Sequence, residues 1–365
     1  MNMEIKNLSK YKILYYMLNQ GNTFKMELAR ELNLSMPTVL SNVNELMEQG
    51  LVVEVGELKS TGGRKARSIG IKKNYCYSLG LNITANHVGM VLVNIGGEVV
   101  YQTRVREEFK PDVAYLRCLS KLVKDFYDSI AAYKTVLGIG ISLPGIVNER
   151  DGVLIKSHAL CLENYSLKMM EQMMPLPVHF ENDANAAMLA ENPKTLENAV
   201  YLSLNNTLGG ALCIDGKLFT GQNRKAGEFG HMILKPKGKQ CYCGKRGCAD
   251  AYCAASVLTQ KGKESLEDFM NRIGKDEQTD EIWHEYLDNL SILISNLRMF
   301  FDTDIILGGE VGGYLTNYMV ELSENIFKYN LFDGSASYLK NCYYKKEASA
   351  VGVAKYFFDR FIEQV

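Results

Sequence analysis

Between Gly227 and Asp250 the chain reads GEFGHMILKPKGKQCYCGKRGCAD, a histidine and three cysteines with an acid near either end. His231, Cys241, Cys243 and Cys248 supply one imidazole and three thiolates, the ligand set that suits tetrahedral Zn²⁺, and Gly244 and Gly247 allow tight turns between them. A site filled by four protein ligands leaves no position for water, so a structural zinc is expected and a catalytic one is the weaker reading. The plainer alternative is ordinary reduced thiols, since Cys253 lies close by and needs no metal. Four soft ligands in a Gly-rich, strand-poor stretch are hard to explain by core packing alone.

The same stretch has a second chemistry. Glu228 stands three residues before His231 and Asp250 two after Cys248, so a metal that fixes the loop also fixes where these acids point. Paired acceptors of this kind suit the hydroxyls of a sugar. The bland alternative is a pair of solvated loop acids, which is what most surface carboxylates are.

These residues need a scaffold. A length of 365 residues exceeds what one core usually holds, and 47% hydrophobic with 23% charged residues is ordinary soluble composition. The formal charge of −1 is unevenly spread: residues 1–73 hold eleven Lys and Arg against seven acids, a surplus of four, leaving thirty basic and thirty-five acidic residues for the rest. That asymmetry points to an anionic partner for the first segment only. Cysteines scattered at Cys76, Cys118, Cys161 and Cys213 do not form a disulfide framework and fit a reducing cytoplasm. The N-terminus lacks the apolar core of a signal peptide, and no apolar run is long enough to span a bilayer, so no membrane partner is expected.

The first segment reads as three helices and a hairpin. LSKYKILYYML at 8–18 has a broad apolar face ended by Gly21, Thr23 can cap the next helix, and Ser35 caps a third with Pro37 in its first turn. In that third helix Val39, Leu40, Val43, Leu46 and Met47 are expected inside, leaving Met36, Thr38, Ser41, Asn42 and Glu45 outward. A small polar helix face suits the major groove, and the strand-like LVVEVGE and RSIGIKK flank a basic tip, LKSTGGRKAR, suited to phosphates or a minor groove. This is a winged helix-turn-helix pattern with Thr38, Ser41, Asn42, Arg64 and Lys65 as candidate contacts to a double-stranded operator. The alternative is a helical interaction module with a solvated basic loop.

From Asn74 strands and helices alternate. YCYSLGLNIT, HVGMVLVNI, GEVVYQTRV, LGIGISL and PLPVHFEND read as strands, and PDVAYLRCLSKLVKDFYDSIAAY as an amphipathic helix. The last of these strands delivers Asn182 and Asp183 to a sheet edge, where ligands of α/β sheets sit. AVYLSLNNTLGGALCIDGKLF and DIILGGEVGGYL repeat the strand logic further on. Residues 260–300 read as mainly helical and are a candidate dimer surface.

GEFGH followed by CYCGKRGCAD, with ENDANAAMLAE at 181–191, LGIGISLPGIV at 137–147 and DIILGGEVG at 304–312, resembles the ROK family, a group of bacterial repressors, open reading frames and sugar kinases. The likeness covers nearly all of the chain after residue 75. It implies an α/β, two-lobed actin-like (ribonuclease H-like) ATPase fold behind the winged helix-turn-helix, with domains at 1–73, 74–192 plus the C-terminal helix 349–365, and 193–348. It also implies a structural zinc loop, and sugar contacts at Asn182, Asp183, Glu228, His231 and Asp250, His231 serving metal and sugar through different ring nitrogens. At Asp250 the family usually has Glu, so a contact there becomes water-mediated or is lost. His158, His179 and His284 are expected only to pack or lie on the surface.

Asp183 is where a ROK kinase has its general base. Yet the Asp-x-Gly-Gly-Thr phosphate loop of those kinases is replaced by Leu81-Asn82-Ile83-Thr84-Ala85-Asn86, and Gly-Thr-Gly-x-Gly by Asn205-Asn206-Thr207-Leu208-Gly209. Side chains at Asn82, Ala85, Asn205 and Asn206 would crowd the path of the phosphates. The expectation is therefore a sugar-sensing DNA-binding repressor, a homodimer or dimer of dimers, that does not phosphorylate its ligand. A sugar kinase with an appended head is the alternative, and regulation by a protein partner a third reading.

Overall fold

Packing chooses the face of each head helix. In this computed structural model, which describes residues 2–57, 67–130, 132–133, 135–191, 197–260 and 262–365, the head consists of α1 (Asn2–Gln20), α2 (Lys25–Glu31) and α3 (Met36–Glu48), followed by β1 (Val52–Glu57) and β2 (Arg67–Ile71). Ser35 caps α3, its side chain accepting from the Thr38 amide. Phe24 rather than Thr23 is the cap residue of α2, and the Thr23 hydroxyl instead donates to Glu27. Ile13, Leu14, Leu28, Val39, Val43 and Leu46 close the small core.

One expectation about α3 is corrected. Asn42 is only 1% exposed whereas Leu40 is 40% exposed. Val39, Val43 and Leu46 set the buried stripe, and position 42, three residues after Val39, falls inside it while position 40 falls outside. Asn42 therefore cannot reach a groove. Ser41 is exposed and Thr38 partly so. Glu45 is half-buried and paired with the buried Lys10 of α1. β1 and β2 form an antiparallel wing, and Thr23 bridges to Ile69, tying the α1–α2 turn to its base. Arg64 and Lys65 lie outside the described residues.

The body is built on two five-stranded sheets. The first has the order β10-β6-β3-β4-β5, from β3 (Tyr77–Ile83), β4 (His87–Asn94), β5 (Val99–Arg106), β6 (Val136–Leu143) and β10 (Val178–Asn182). The second has the order β13-β12-β11-β14-β15, from β11 (Ala199–Leu204), β12 (Leu208–Ile214), β13 (Lys217–Leu218), β14 (Asp304–Gly308) and β15 (Leu339–Asn341). In each, the first strand pairs antiparallel with the second and parallel with the fourth. This is the duplicated topology expected of an actin-like fold. A further sheet of β7 (Ile146–Asn148), β8 (Val153–Ser157) and β9 (Leu162–Ser166) was not anticipated; it carries the loop 157–161 to the cleft.

The helices complete the layers. The first half carries α4 (Val113–Ser129), the short α5 (Lys168–Gln172) and α6 (Asp183–Ala190). The second carries a 3₁₀ turn (Phe229–His231), α7 (Asp250–Cys253), α8 (Ala255–Leu258), α9 (Leu266–Arg272), the long α10 (Glu277–Phe301), α11 (Gly309–Leu315) and α12 (Met319–Ile326). The last helix, α13 (Ala348–Gln364), returns to pack on β3, β6 and α6. It lies so close that a Cβ on Gly80 would come within 1.9 Å of the Ala350 carbonyl oxygen, and one on Gly352 within 1.6 Å of that of Ala186. Among the described residues no helix is long and apolar enough to cross a membrane.

Candidate functional site

The first half delivers its polar groups from the ends of β6 and β10. Asn182 ends β10 and caps α6: its side-chain oxygen accepts from the Asn185 amide at 2.9 Å and its Nδ2 donates to the Gly145 carbonyl at 2.8 Å. This anchoring places Asp183, the first residue of α6, on the wall of a cavity of about 330 Å³. Gly145, Asn182, Asp183, Glu228 and His231 all line it, together with Leu208 and Gly209 at the start of β12. Burial raises the Asp183 carboxyl to about 6, with the Glu228 charge adding to the rise, and burial raises Glu228 as well.

His231 divides its ring between two neighbourhoods. Nδ1 lies 3.9 Å from Cys241 Sγ, while Nε2 lies 3.8 Å from a Glu228 carboxylate oxygen. Cys243 and Cys248 are 3.7 Å apart, sulfur to sulfur, and the donor atoms of His231, Cys241, Cys243 and Cys248 all lie within 4.8 Å of one another. Burial lowers the His231 pKa, favouring the neutral imidazole that a metal requires. These four residues could hold a metal ion. The turn that brings them together uses positive φ at Gly244 and at Gly247, where a Cβ would also strike the Lys235 carbonyl.

Asp250 behaves differently from the other expected contacts. It is 5% exposed, its Oδ1 accepts from the Leu208 amide at 2.7 Å, and it is not among the residues lining the cavity. Its carboxylate therefore holds the cavity wall. Three residues the sequence reading passed over do face the cavity: Glu181, His158 and Tyr242. The His158, His231 and Tyr242 rings form an edge-on cluster with centroids 5.4–5.8 Å apart. Tyr242 stands between two metal-site cysteines, which was a usable signal. The approach of His158 depends on the β8–β9 turn, which leaves no mark in local sequence. His179 stacks on Tyr356 at 3.6 Å, a packing role, and His284 is an exposed partner of Glu321.

Outside that cavity, polar side chains link strand ends and the two halves. Asn205 Oδ1 accepts from the Glu310 amide at the start of α11 (2.8 Å), and its Nδ2 donates to Ser203. Arg104 of β5 donates to Glu347 at 3.1 Å and to Glu310 at 3.4 Å, crossing between the halves. Asn82 Oδ1 accepts from the Ser142 hydroxyl at 3.2 Å.

Comparison with known proteins agrees with this architecture. The ROK family model matches residues 78–359. A xylose repressor of Caldicellulosiruptor bescii is 26% identical over 358 residues, covering 90% of this chain and 89% of its own. A solved ROK family transcriptional regulator, a homologue of the Escherichia coli MLC protein, superposes with TM-score 0.76 at 22% identity, covering 99% of this chain and 98% of its own. The ROK hexokinase of Thermus thermophilus gives 0.61 at 22% identity and covers 76% of this chain but 97% of its own, so about a quarter of the present chain has no counterpart there. With the family match extending over three quarters of its length and both sheets, cavity and cysteine turn in place, this chain belongs to the ROK family.

Proposed function

We propose that the protein is a sugar-responsive transcriptional repressor whose head binds an operator and whose body senses a sugar or sugar derivative without phosphorylating it. The observation that carries this reading is one chain joining a winged three-helix head to a cavity with hydroxyl-accepting acids. A relative named xylose repressor aligns over 90% of the chain and a solved ROK transcriptional regulator over 99%, whereas the ROK hexokinase covers 76%. Thr38 and Ser41 on the outer side of α3, with Arg64 and Lys65 from the sequence between β1 and β2, supply the DNA contacts, leaving Asn42 a core role. The natural division is a head of residues 1–73 and two lobes, 74–192 with 349–365 and 193–348.

In the cavity Asp183 and Glu228 accept sugar hydroxyls, with Asn182 positioning Asp183 and His231 offering Nε2. Zinc fits the cysteine turn. Zn–S bonds of about 2.3 Å place tetrahedral ligands roughly 3.8 Å apart, and the His231–Cys241 and Cys243–Cys248 separations are 3.9 and 3.7 Å. Bound there, the ion would crosslink the loop that presents His231 and Tyr242.

Signal transfer has a physical route through β12. β12 begins at the cavity with Leu208 and ends at a turn, Asp215–Lys217, lining a second cavity shared with Tyr11 and Tyr15 of α1 and Asp359 and Glu363 of α13. Closure on a sugar would shift that strand against the head and so change the spacing of two heads in a homodimer or dimer of dimers.

The kinase reading has one observation in its favour, an Asp183 carboxyl raised to about 6 on the cavity wall. Against it, the sequence lacks both glycine-rich phosphate loops of the kinases, and we read the Asn205 bond to the Glu310 amide and the Arg104 bridge to Glu310 and Glu347 as taking the place of phosphate contacts. Selection of bound duplexes from a random pool, followed by mobility shift with and without sugars, tests the proposal. We expect one enriched site, release by a sugar, and loss of binding in Ser41→Glu. Absence of any enriched duplex, or ATP-dependent phosphorylation of a sugar in a coupled assay, would overturn it.

A further inference from the structure

The cavity that presents Asp183 and Glu228 is also lined by three cations, Lys156 of β8 and Arg224 and Lys225 of the loop leading into the 3₁₀ turn. Their local partners are poor. Arg224 makes one long bond among the described residues, Nη1 to the Val147 carbonyl at 3.4 Å, and its Nη2 is 3.8 Å from Glu149, beyond hydrogen-bond range. Its side chain is 24% exposed, its charge acts on the Glu181 carboxyl, and among the described residues most of its five donors make no hydrogen bond. Lys156 and Lys225 are exposed; the Lys225 charge acts on the Glu228 carboxyl, and among the described residues neither ammonium group makes an ion pair or hydrogen bond. The third acid of the cavity, Glu181, is already occupied, its Oε1 accepting from the Asn182 amide and the Asn185 side chain.

A neutral sugar filling this space would strip water from the cations and return nothing to them, and an unpaired buried charge is costly. A ligand bringing its own negative charge removes that penalty, and a planar guanidinium suits either a carboxylate or a phosphate. We propose that the effector is an anionic sugar derivative, one bearing a phosphate or a carboxylate, whose hydroxyls meet Asp183 and Glu228 while Arg224 and Lys225 hold its anionic group.

This inference rests on the cavity being an effector site, and the experiment separates the two. The full-length protein is titrated calorimetrically with matched trios built on glucose, galactose and mannose: the aldose, its 6-phosphate and its uronate. Inorganic phosphate serves as the charge-only control. Expected is at least one charged member binding about tenfold or more tighter than its neutral parent, weakening as salt rises, with phosphate alone far weaker. The phosphate and uronate arms identify which anion is preferred. Arg224→Gln is expected to abolish the preference, and Lys225→Gln, a surface change that leaves the core untouched, to reduce it severalfold; Asp183→Asn abolishes binding of every member. A neutral sugar that binds as tightly as its charged forms, in a manner lost in Asp183→Asn, overturns the charge inference and leaves the effector reading standing. No binding by any trio overturns both.

Discussion

The two sheets of the body share one plan, a first strand with an antiparallel hairpin on one side and two parallel strands on the other, yet the halves carry different attachments. Between β5 and β6 the first half has a single amphipathic helix, α4. At the equivalent place, between β13 and β14, the second half has the cysteine turn and four helices, α7 to α10. The first half offers the cavity what its strand ends provide, Gly145 and the anchored pair Asn182 and Asp183. The second offers groups on a loop with no strand and only a single 3₁₀ turn, Glu228, His231 and Tyr242. A strand end is held by a ladder of backbone hydrogen bonds, whereas a loop needs another brace. On the proposed reading, a metal held by the cysteine turn would do for the second half what the sheet does for the first.

The sharpest way to break that comparison is to remove the brace. In Cys248→Ser, or after chelation, the expected outcome is loss of bound metal, a melting temperature lower by about 5 °C or more, and ligand affinity weaker by about a hundredfold. Metal analysis, thermal unfolding and calorimetry check the three in turn. Cys118→Ser on α4 of the first half is the control and should shift melting by no more than about 2 °C. Equal effects of the two changes would mean the cysteine turn braces nothing.

A second contrast lies between the two carboxylates that burial raises to about 6, Asp183 of the first half and Asp250 of the second. An acid whose folded pKa lies above its unfolded value of about 3.9 is penalised once ionised. The penalty is absent below about pH 4, grows as pH rises through 6 and is complete above it. Asp183→Asn should therefore stabilise the protein by about 1–2 kcal/mol at pH 8 and leave it unchanged at pH 4, read by denaturant unfolding, while abolishing ligand binding. In the native protein, affinity should rise as pH passes upward through about 6, because the ionised carboxylate is the stronger hydroxyl acceptor. Asp250→Asn keeps an oxygen for the Leu208 amide, so affinity should change by less than about tenfold. A loss as large as that of Asp183→Asn would put Asp250 in contact with the ligand.

These contrasts also mark what the letters conveyed. Most strands of both sheets were legible because their apolar runs are bounded by Gly, Asn and Pro, the short edge strand β15 being too brief to carry such a pattern, and the His231 and cysteine cluster was legible because ligand chemistry tolerates few substitutes. Asn42 and Leu40 were exchanged because periodicity fixes which positions share a face, while the neighbouring helices decide which face turns inward. Arg224 and Lys225 directly precede GEFGH, yet only the folded loop turns them into cavity walls. The bridge from Arg104 to Glu310 and Glu347 joins residues more than two hundred positions apart, and no local pattern announces such a contact.

That bridge is where the smallest effect is expected, and its two arms are unequal. Arg104 and Glu310 are 42% and 44% exposed, so Glu310→Ala should cost no more than about 0.5 kcal/mol, as exposed pairs usually do. Glu347 is 7% exposed and its Oε2 accepts no hydrogen bond among the described residues. Taking away Arg104 leaves this buried carboxylate without its cation. Burial already raises the Glu347 pKa, and Arg104 is first among the groups that lower it. In Arg104→Ala that pKa should rise further, so the variant loses about 1 kcal/mol at pH 8, where the carboxylate is ionised, and almost nothing at pH 4, below the ordinary glutamate range. Denaturant unfolding at the two pH values reads the difference. A loss that does not depend on pH would show that Arg104 acts by packing across the halves, with its charge contributing nothing to how they are held together.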